Sequence, residues 1–598
     1  MTTYTAPLRD MRFVLHELLE SDRLAELPGY QEATSDIVDA VMEEGGKLAA
    51  DILFPLNRSG DEEGCLYENG VVRTPTGFKE AYDTFIEGGW TGLSADPAYG
   101  GQGLPKTLKF VIDEMICSAN LSFGIYPGLS GGAYNALHKH AADWIKERYL
   151  PKLVDGSWSG TMCLTEPQCG TDLGLIRTKA VPEDDGSYRL TGTKIFISAG
   201  EHDLGDNIVH LMLAKLPDAP EGVKGISLFV VPKFLPADDG GVGARNGVTC
   251  AGIEHKMGIK ASSTCVMNFD DAQGWLIGQP HKGLRAMFTM MNDARLEVAI
   301  QGLGLAETAY QSALAYARDR LQGRALSGPA QPDKPADSIL VHPDVRRMLL
   351  TMKASNEGAR ALAYWVGMAL DVSEKHPDPS VRQQADDLVA LMTPILKAYF
   401  TDQGFAVSSL GVQVMGGHGY IREWGMEQLV RDARIAMLYE GANGIQALDL
   451  VGRKLPQNYG RLLRSFFHPV AQYIEANKEN ADVQPFVVPL AKAFGRLQQA
   501  TMVIAQRGLG DPDEAGAASS DYLRLFALVA LAWMWCRMVE VSRARLANGG
   551  AGEADFYSGK IKTARFFMAR ILPESSALFA QIMAGAEPLM DVSDAEFG

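Results

Sequence analysis

The sequence predicts a multidomain α+β protein: an N-terminal helical domain, a central β-barrel or sheet domain, a C-terminal four-helix bundle and an additional C-terminal helical domain. Two changes of texture carry this reading. Apolar residues recur at intervals of three and four in the early and late parts of the chain. Between about 160 and 280, short runs rich in β-branched and aromatic residues alternate with Gly, Pro and Asp. Length supplies a third observation, because 598 residues with 46% hydrophobic side chains suffice for several cores of usual size.

Residues 1–160 form the predicted N-terminal helical domain, with helical spacing clearest over Asp36–Leu53. Residues 161–280 form the β domain, where Tyr188–Ser198, Ile208–Leu213 and Ile226–Val231 read as strands of an antiparallel sheet or small barrel. Over 281–455, the segments Leu303–Leu321, Val345–Leu370 and Gln384–Leu410 are each long enough for a bundle helix, and Glu374–Ser380 is a proline-containing connector. Pro456 ends the last of these. Residues 456–598 read as further helices, broken at Asp511–Ser520 and at Asn548–Glu553. Leu523–Trp535 is apolar around most of its circumference, which favours a buried helix over one lying on a membrane.

A net charge of -17 disfavours nucleic acid and anionic lipid as partners, and no basic run offsets it. The seven cysteines are odd in number and show no C-x-x-C pair, which suits reduced thiols in a cytoplasmic protein and offers no metal set. No signal-like N-terminus and no uninterrupted apolar run of membrane-spanning length is present, so no membrane span is predicted.

The segment from Gln413 to Leu450 carries the strongest chemical signal. Gly416, Gly417 and Gly419 can take positive φ and admit a diphosphate to backbone N–H groups, and the lone carboxylate Glu440 follows as a candidate base. Each alone is ordinary, since glycine clusters end helices and a single Glu is usually solvated. A second constellation joins C-L-T-E-P-Q-C-G-T-D-L at Cys163–Leu173 to K-I-F-I-S-A-G at Lys194–Gly200.

With P-A-Y-G-G-Q-G at Pro97–Gly103, H-K-M-G-I-K-A-S-S-T at His255–Thr264 and M-N-D-A-R ending at Arg295, these motifs stand in register over roughly residues 80–455. In that order the chain resembles the acyl-CoA dehydrogenase family. The resemblance implies FAD between the β domain and the bundle, an acyl-CoA substrate and electron-transfer flavoprotein as acceptor. It makes Glu440 the base that takes the α-proton while the β-hydrogen leaves as hydride, giving a trans-2-enoyl-CoA. A carboxylate serves this role at close range in a dry site that raises its pKa. The family's thioester carbonyl accepts the N–H matching that of Glu440, an oxyanion-hole arrangement.

Some relatives carry the base immediately before the arginine matching Arg295; Ala294 stands there in this chain, and Glu297 reads as an exposed helix residue. Arg295 matches a residue at the CoA or the site entrance, although a surface charge on a helix reads as well, and Gly441 adjoins the base on the substrate side. The resemblance assigns FAD contacts to Thr165, Thr171, Phe196 and Ser198. Taken as residues alone, Thr171 precedes a turn at Asp172 and Phe196 alternates as a strand residue would. Arg320 and Gln322 match positions that reach the FAD diphosphate from a neighbouring subunit, and Gln413, Gly416 and Gly417 match the same contact, implying a homodimer or homotetramer.

The chain departs from the family pattern at Cys169 and Leu175, at Phe196 in place of Trp, at Ala442-Asn443-Gly444 in place of T-x-Q, and at Gly323-Arg324 in place of F-G. The loss of Thr and Gln after Y-E-G removes two flavin contacts of the family pattern. The roughly 140 additional residues, with A-P-L-R-D-M-R-F and L-D-L-V-G-R-K-L, resemble the family's long bacterial branch containing 3-methylmercaptopropionyl-CoA dehydrogenase of dimethylsulfoniopropionate breakdown. Short- to medium-chain acyl-CoA substrates follow from that likeness. Alternatives are a long-chain acyl-CoA dehydrogenase, an acyl-CoA oxidase, and a flavin-bearing nucleic-acid-associated relative, against which the nearly balanced charge of 456–598 speaks.

Overall fold

The computed structural model describes residues 2–548 and 550–598. The chain divides into two compact units, one of 44–104 with 115–297, the other of the chain up to Glu43 with Pro105–Glu114 and Val298–Gly598.

The first unit is built on a seven-stranded sheet. Tyr188–Ser198 pairs antiparallel with the long strand Thr264–Ile277, whose register shifts between Phe269 and Ala272 and whose far end pairs with Ile226–Pro232. Ile226–Pro232 continues to Asn207–Lys215. That strand meets Lys179–Pro182 at one parallel pair, Lys179 with Lys215, and Lys179–Pro182 returns to Tyr188–Ser198. The ring of pairings closes as a small barrel. Two junctions are nonetheless parallel, the second joining Trp158–Cys163 to Asn207–Lys215, so the barrel is not antiparallel throughout. Asn207–Lys215 and Ile226–Pro232 are buried along nearly their whole length, as strands covered on both faces must be. Val209, Leu211 and Leu213 pack with Tyr149, Leu153 and Trp158 on one side, while Met212 and Ala214 face Phe229, Val231 and Phe269 on the other. Cys163, Cys250 and Cys265 gather in this second core with Cys65 packed against it, all as free thiols.

The second unit contains most of the long helices, while the greater part of Lys106–His140 and the first part of Gly283–Asp319 count with the first. Pro343–Lys375 and Pro379–Met415 are separated only by His376–Asp378, because Asp378 accepts the Ser380 N–H at 2.7 Å and Pro379 starts the next helix at once. Gly283–Asp319 and Met426–Ala436 supply the other bundle helices. Close approach at Gly302 requires the missing side chain: a Cβ there would lie 2.5 Å from the Phe400 carbonyl oxygen.

Beyond residue 460 come Arg461–Asn477, Gln484–Gly510, Pro512–Ala547, Ala554–Phe566 and Glu574–Ala584. The break expected over Asp511–Ser520 is one residue long. Asp511 accepts the Asp513 N–H at 3.0 Å and Pro512 takes the first helical position, so the small polar residues that follow are helical. The break expected at 548–553 falls on Asn548 and Gly550–Glu553, with residue 549 outside the described residues. By length and composition Pro512–Ala547 is the one described helix able to cross a membrane, and 83% of its most apolar window is buried. Aromatic rings surround it, Phe466 lying 4.7 Å from Phe526 and Trp365 5.1 Å from Trp533 between centroids.

A buried ionic network ties the ends of the chain to the bundle. Arg360, 1% exposed, donates to Asp10 (2.5 Å), Glu114 (2.5 Å) and Glu307 (2.9 Å). Lys560 donates to the other Asp10 oxygen and to Glu357 at 2.9 Å. Burial lowers the Arg360 pKa, but the carboxylates of Glu114, Glu307 and Asp10 outweigh it and hold the guanidinium charged.

Candidate active site

Glu440 lies in a turn between Met426–Ala436 and Asn443–Asp449 and has φ +57°, followed by Gly441 at φ +87°. A left-handed glutamate is sparsely populated and persists only where its surroundings impose it. Those surroundings are buried polar side chains. Lys397, wholly buried on Pro379–Met415, donates to the Gly441 carbonyl at 2.7 Å and to Asn443 Oδ1 at 2.9 Å. Asn443 Nδ2 donates to the Ala398 carbonyl (3.1 Å), Thr401 Oγ1 (3.0 Å) and Asp402 Oδ1 (2.7 Å). Gln446 Nε2 holds the Glu440 carbonyl at 3.0 Å. Burial raises the Asp402 pKa, against which its bond from Asn443 acts. Asn443, at the position the family pattern leaves open, thus anchors the turn that carries Glu440. A Cβ on Gly441 would meet Gln446 Nε2 at 2.6 Å, so this position admits only glycine.

The glycine cluster behaves less uniformly than the sequence suggests. Gly416 alone of the three has positive φ, +59°, at the end of Pro379–Met415. Gly417 does not, and Gly419 serves close packing instead, its added Cβ falling 2.6 Å from the Val412 carbonyl oxygen. At Gly416 and Gly417 a Cβ would meet nothing within 4 Å, leaving an open, exposed backbone face beside exposed Gln413. Tyr316 donates to or accepts from His418 Nδ1 at 2.9 Å, and the His418 ring stacks on Trp424 at 4.4 Å. Because Tyr316 lies one turn before Arg320, this bond brings the glycine turn to the end of Gly283–Asp319.

Arg320 and Gln322 are exposed at the start of the loop to residue 338. Wholly buried Asp337 pins that loop by accepting the N–H groups of Ala325 (2.9 Å), Ala330 (3.0 Å) and Gln331 (2.7 Å) and Nη1 of Arg324 (3.2 Å). Those amides hold its carboxyl well below the usual range. Its backbone also brackets Gln322, whose N–H donates to the Asp337 carbonyl at 2.9 Å.

In the β unit, the two motifs meet through Lys194 and Glu166. Lys194 Nζ donates to the Leu164 carbonyl at 3.0 Å and to Glu166 Oε1 at 2.8 Å, and the Ile195 N–H donates to the Thr165 carbonyl at 3.0 Å. Glu166 also accepts from Gln168 Nε2 (2.7 Å), Arg177 N (2.6 Å) and Thr178 Oγ1 (2.5 Å). Burial opposes its ionisation, but Lys194 and these donors outweigh that and hold the carboxyl down to about 2. Burial lowers the Lys194 pKa despite Glu166. The pair is asymmetric because the carboxylate has many donors and the ammonium only two acceptors.

Phe196 is not an ordinary alternating strand residue. Lys194 faces Met267 and Ile197 faces Cys265, so Ile195 and Phe196 share the place opposite Val266 in a bulge. Phe196 has φ +58° and is 59% exposed. Ser198 continues the ladder opposite Thr264. Thr165 lies in van der Waals reach of the Gly170 position, 3.8 Å from a built Cβ, and exposed Thr171 follows; Asp172 caps the next turn by accepting the Gly174 N–H at 3.1 Å. An aromatic side chain turned outward by its backbone offers a flat apolar face, and in the other unit the open Gly416–Gly417 backbone offers room for a diphosphate.

Arg295 is 6% exposed, which overturns the reading of a surface charge. Glu297 is half-buried rather than exposed, its Oε2 3.1 Å from a Cβ built on Gly128. Ala294 is buried at 8% exposure. Among the described residues no cluster of His, Cys, Asp or Glu is arranged to hold a metal ion. Lys397, Gln446, Lys194, Glu166 and Asp337 were given no role by the motifs. A signal existed for Lys397, a solitary charge in the apolar run Leu391–Phe400, and for Lys194, a charge at an inward strand position.

Family models match the chain in four consecutive segments: the acyl-CoA dehydrogenase N-terminal domain over 68–157, its middle domain over 161–272, its C-terminal domain over 281–455, and an acetyl-CoA dehydrogenase C-terminal-like model over 466–593. The chain is 44% identical to 3-methylmercaptopropionyl-CoA dehydrogenase of Ruegeria pomeroyi, covering 99% of this chain and 100% of that protein. It is 36% identical to a butyryl-CoA dehydrogenase of Syntrophomonas wolfei, covering 95% of each. Its fold matches that of an acyl-CoA dehydrogenase complexed with FAD from Bacillus anthracis with a TM-score of 0.75 and 20% identity, over 94% of this chain and 90% of that one.

Proposed function

Since the chain belongs to the acyl-CoA dehydrogenase family and FAD is its cofactor, we propose that Glu440 removes the α-proton of a short- to medium-chain acyl-CoA. The observation that supports this is the left-handed Glu440–Gly441 turn held by buried Lys397 and Gln446 and half-buried Asn443. A base must present its carboxylate in one orientation to a weak carbon acid, and strain over-determined by a buried network provides that. The α C–H bond breaks toward the Glu440 carboxylate and a trans-2 double bond forms. Bound FAD supplies the acceptor for the β-hydrogen, which leaves with its electron pair. The Glu440 N–H polarises the thioester carbonyl.

Thr165, Thr171, Phe196 and Ser198 line the flavin, with Phe196 against the ring. Arg320, Gln322, Gln413, Gly416 and Gly417 take the diphosphate of a neighbouring subunit, which makes the enzyme a homodimer or homotetramer. Arg295 and Gly441 serve the substrate side. Exposure of Gln413, Gly416 and Gly417 beside the Arg320 end supports the inter-subunit reading. Electron-transfer flavoprotein is the acceptor, and the reaction is cytoplasmic.

The likeness to enzymes named for 3-methylmercaptopropionyl-CoA and butyryl-CoA supports a short substrate. A thioether in place of a methylene changes volume little, so both acyl groups suit one pocket. The test is turnover by wild type, Glu440→Gln and Glu297→Gln on a panel of acyl-CoAs with an artificial acceptor. Glu440→Gln should lower kcat at least ~100-fold with FAD retained, while Glu297→Gln stays active. The reverse outcome reassigns the base. A kcat/KM profile peaking at palmitoyl length removes the short-chain reading, and sustained hydrogen peroxide release makes the enzyme an oxidase.

A further inference from the structure

The helical unit contains a cleft of about 1280 Å³ bordered by residues 19–27, by the joint between Pro343–Lys375 and Pro379–Met415, and by Arg461–Asn477. None of the residues assigned to catalysis or FAD lies in it, and its volume exceeds the several hundred Å³ usual for a ligand pocket. Its apolar wall includes Leu24, Leu27, Trp365, Val372 and Leu388. Its charged lining consists of four arginines (Arg23, Arg461, Arg464, Arg537) against two acids (Glu26, Asp387), with His376 and His468 beside them. A cationic lining is unexpected in a chain of net charge -17.

Two of the arginines are occupied. Arg461 grips both oxygens of Asp387 at 2.6 and 3.0 Å, and Arg23 pairs with Glu20. Arg464 is exposed and bonds to no described residue. Arg537 is half-buried, lies 5.3 Å from the Trp533 ring centroid and donates only to the Leu18 carbonyl at 3.3 Å and, weakly, to the Met534 sulfur at 4.0 Å. Glu20, Glu540 and Tyr473 act on it through space without an ion pair, and burial lowers its pKa. A guanidinium partly withdrawn from water without a direct ion pair is costly, and a bidentate anion relieves that cost best.

We propose that this cleft binds an aliphatic carboxylate of medium chain length, with the carboxylate on Arg537, Arg464 reinforcing it from the rim, and the chain against the Trp365–Val372–Leu388 wall. The site is separate from the one that takes the thioester. Phosphate offers related chemistry, so the ligand arms must separate a fatty carboxylate from the phosphates of CoA.

Calorimetric titration of the FAD-loaded enzyme with sodium decanoate, 1-decanol and free CoA tests this. Decanoate should bind saturably, decanol at least ~10-fold more weakly, and CoA without dependence on Arg537. Arg537→Met should weaken decanoate ~10-fold or more, and Arg464→Gln about threefold at low salt. Binding should be unchanged on enzyme already saturated with butanoyl-CoA in the absence of an electron acceptor. Absence of saturable decanoate binding, displacement by butanoyl-CoA, or Arg537-dependent binding of CoA in preference to decanoate overturns the proposal. If Arg537→Met fails to fold, an unaltered affinity in Arg464→Gln overturns it instead.

Discussion

Lys194→Met removes an ammonium that is wholly buried and joins the segment around Thr165 to the bulge that turns Phe196 outward. The variant leaves Glu166, 3% exposed, with its bonds from Gln168, Arg177 and Thr178 but without a counter-charge. Breaking a buried pair from one side costs about 3–5 kcal/mol, and the surviving donors place this case near the lower end. The pH dependence has a definite sign. A carboxyl held from 4.5 down to about 2 contributes stability that is fully present above about 4.5 and is lost as pH falls toward 2. With some water access allowed for, that contribution is about 2–3 kcal/mol at neutral pH, partly offset by the burial of Lys194. Urea unfolding of wild type should therefore weaken steeply between pH 5 and 2.5, whereas Lys194→Met starts lower at pH 7 and shows a flatter slope. FAD affinity, read from flavin fluorescence on dilution, should drop ~10-fold, since both motifs lose their shared anchor. Glu166→Gln combined with Lys194→Met should recover much of the stability, because no unpaired charge remains. Stability within 1 kcal/mol of wild type, together with unchanged FAD affinity, would refute this account of the site.

Asn443→Ala should lower kcat roughly 10- to 100-fold with FAD content and KM little changed, because it frees the turn that orients Glu440; stopped-flow flavin bleaching at wild-type rate would contradict this. Asp337→Asn should weaken FAD binding about tenfold by loosening the loop that presents Arg320 and Gln322, with kcat of the fully loaded enzyme preserved, and an unaltered FAD dissociation constant would remove that loop from the cofactor site. Arg360→Met should destabilise the fold by about 3–5 kcal/mol in chemical denaturation, leaving Asp10, Glu114 and Glu307 without their shared cation; a loss under 1 kcal/mol would show that the network is dispensable.

Local patterns were legible where local physics decides. Tyr188–Ser198 is a strand over the predicted residues, and the apolar circumference of Leu523–Trp535 does mark a buried helix. The pattern misled where a short signal competed with composition: residues 512–520 look like a linker, yet Asp511 and Pro512 form a helix start. It also misled where one residue type has two uses, as with Gly416 in a left-handed turn and Gly419 in close packing. Parallel junctions in the barrel are invisible to alternation, which reports which face is buried and not strand direction. The supports of Glu440 were hidden for another reason. Lys397 lies 44 residues before the Gly441 carbonyl it holds, and only the fold brings the two together. Asn443 stands where the family motif leaves the residue open, so its bonds to the Ala398 carbonyl and to Asp402 had no signal in the sequence.

The bond between Asp10 and Lys560 spans 550 residues. At about 5–20 residues per second, between half a minute and two minutes of translation separate the two groups. Throughout that interval the N-terminal segment has a carboxylate destined for burial and no ammonium to receive it. A nascent chain released before Ala554–Phe566 leaves Asp10 with Arg360 alone and Glu357 with Lys353 alone, each one cation short. A helix near the end of the chain thereby completes the seat of the first.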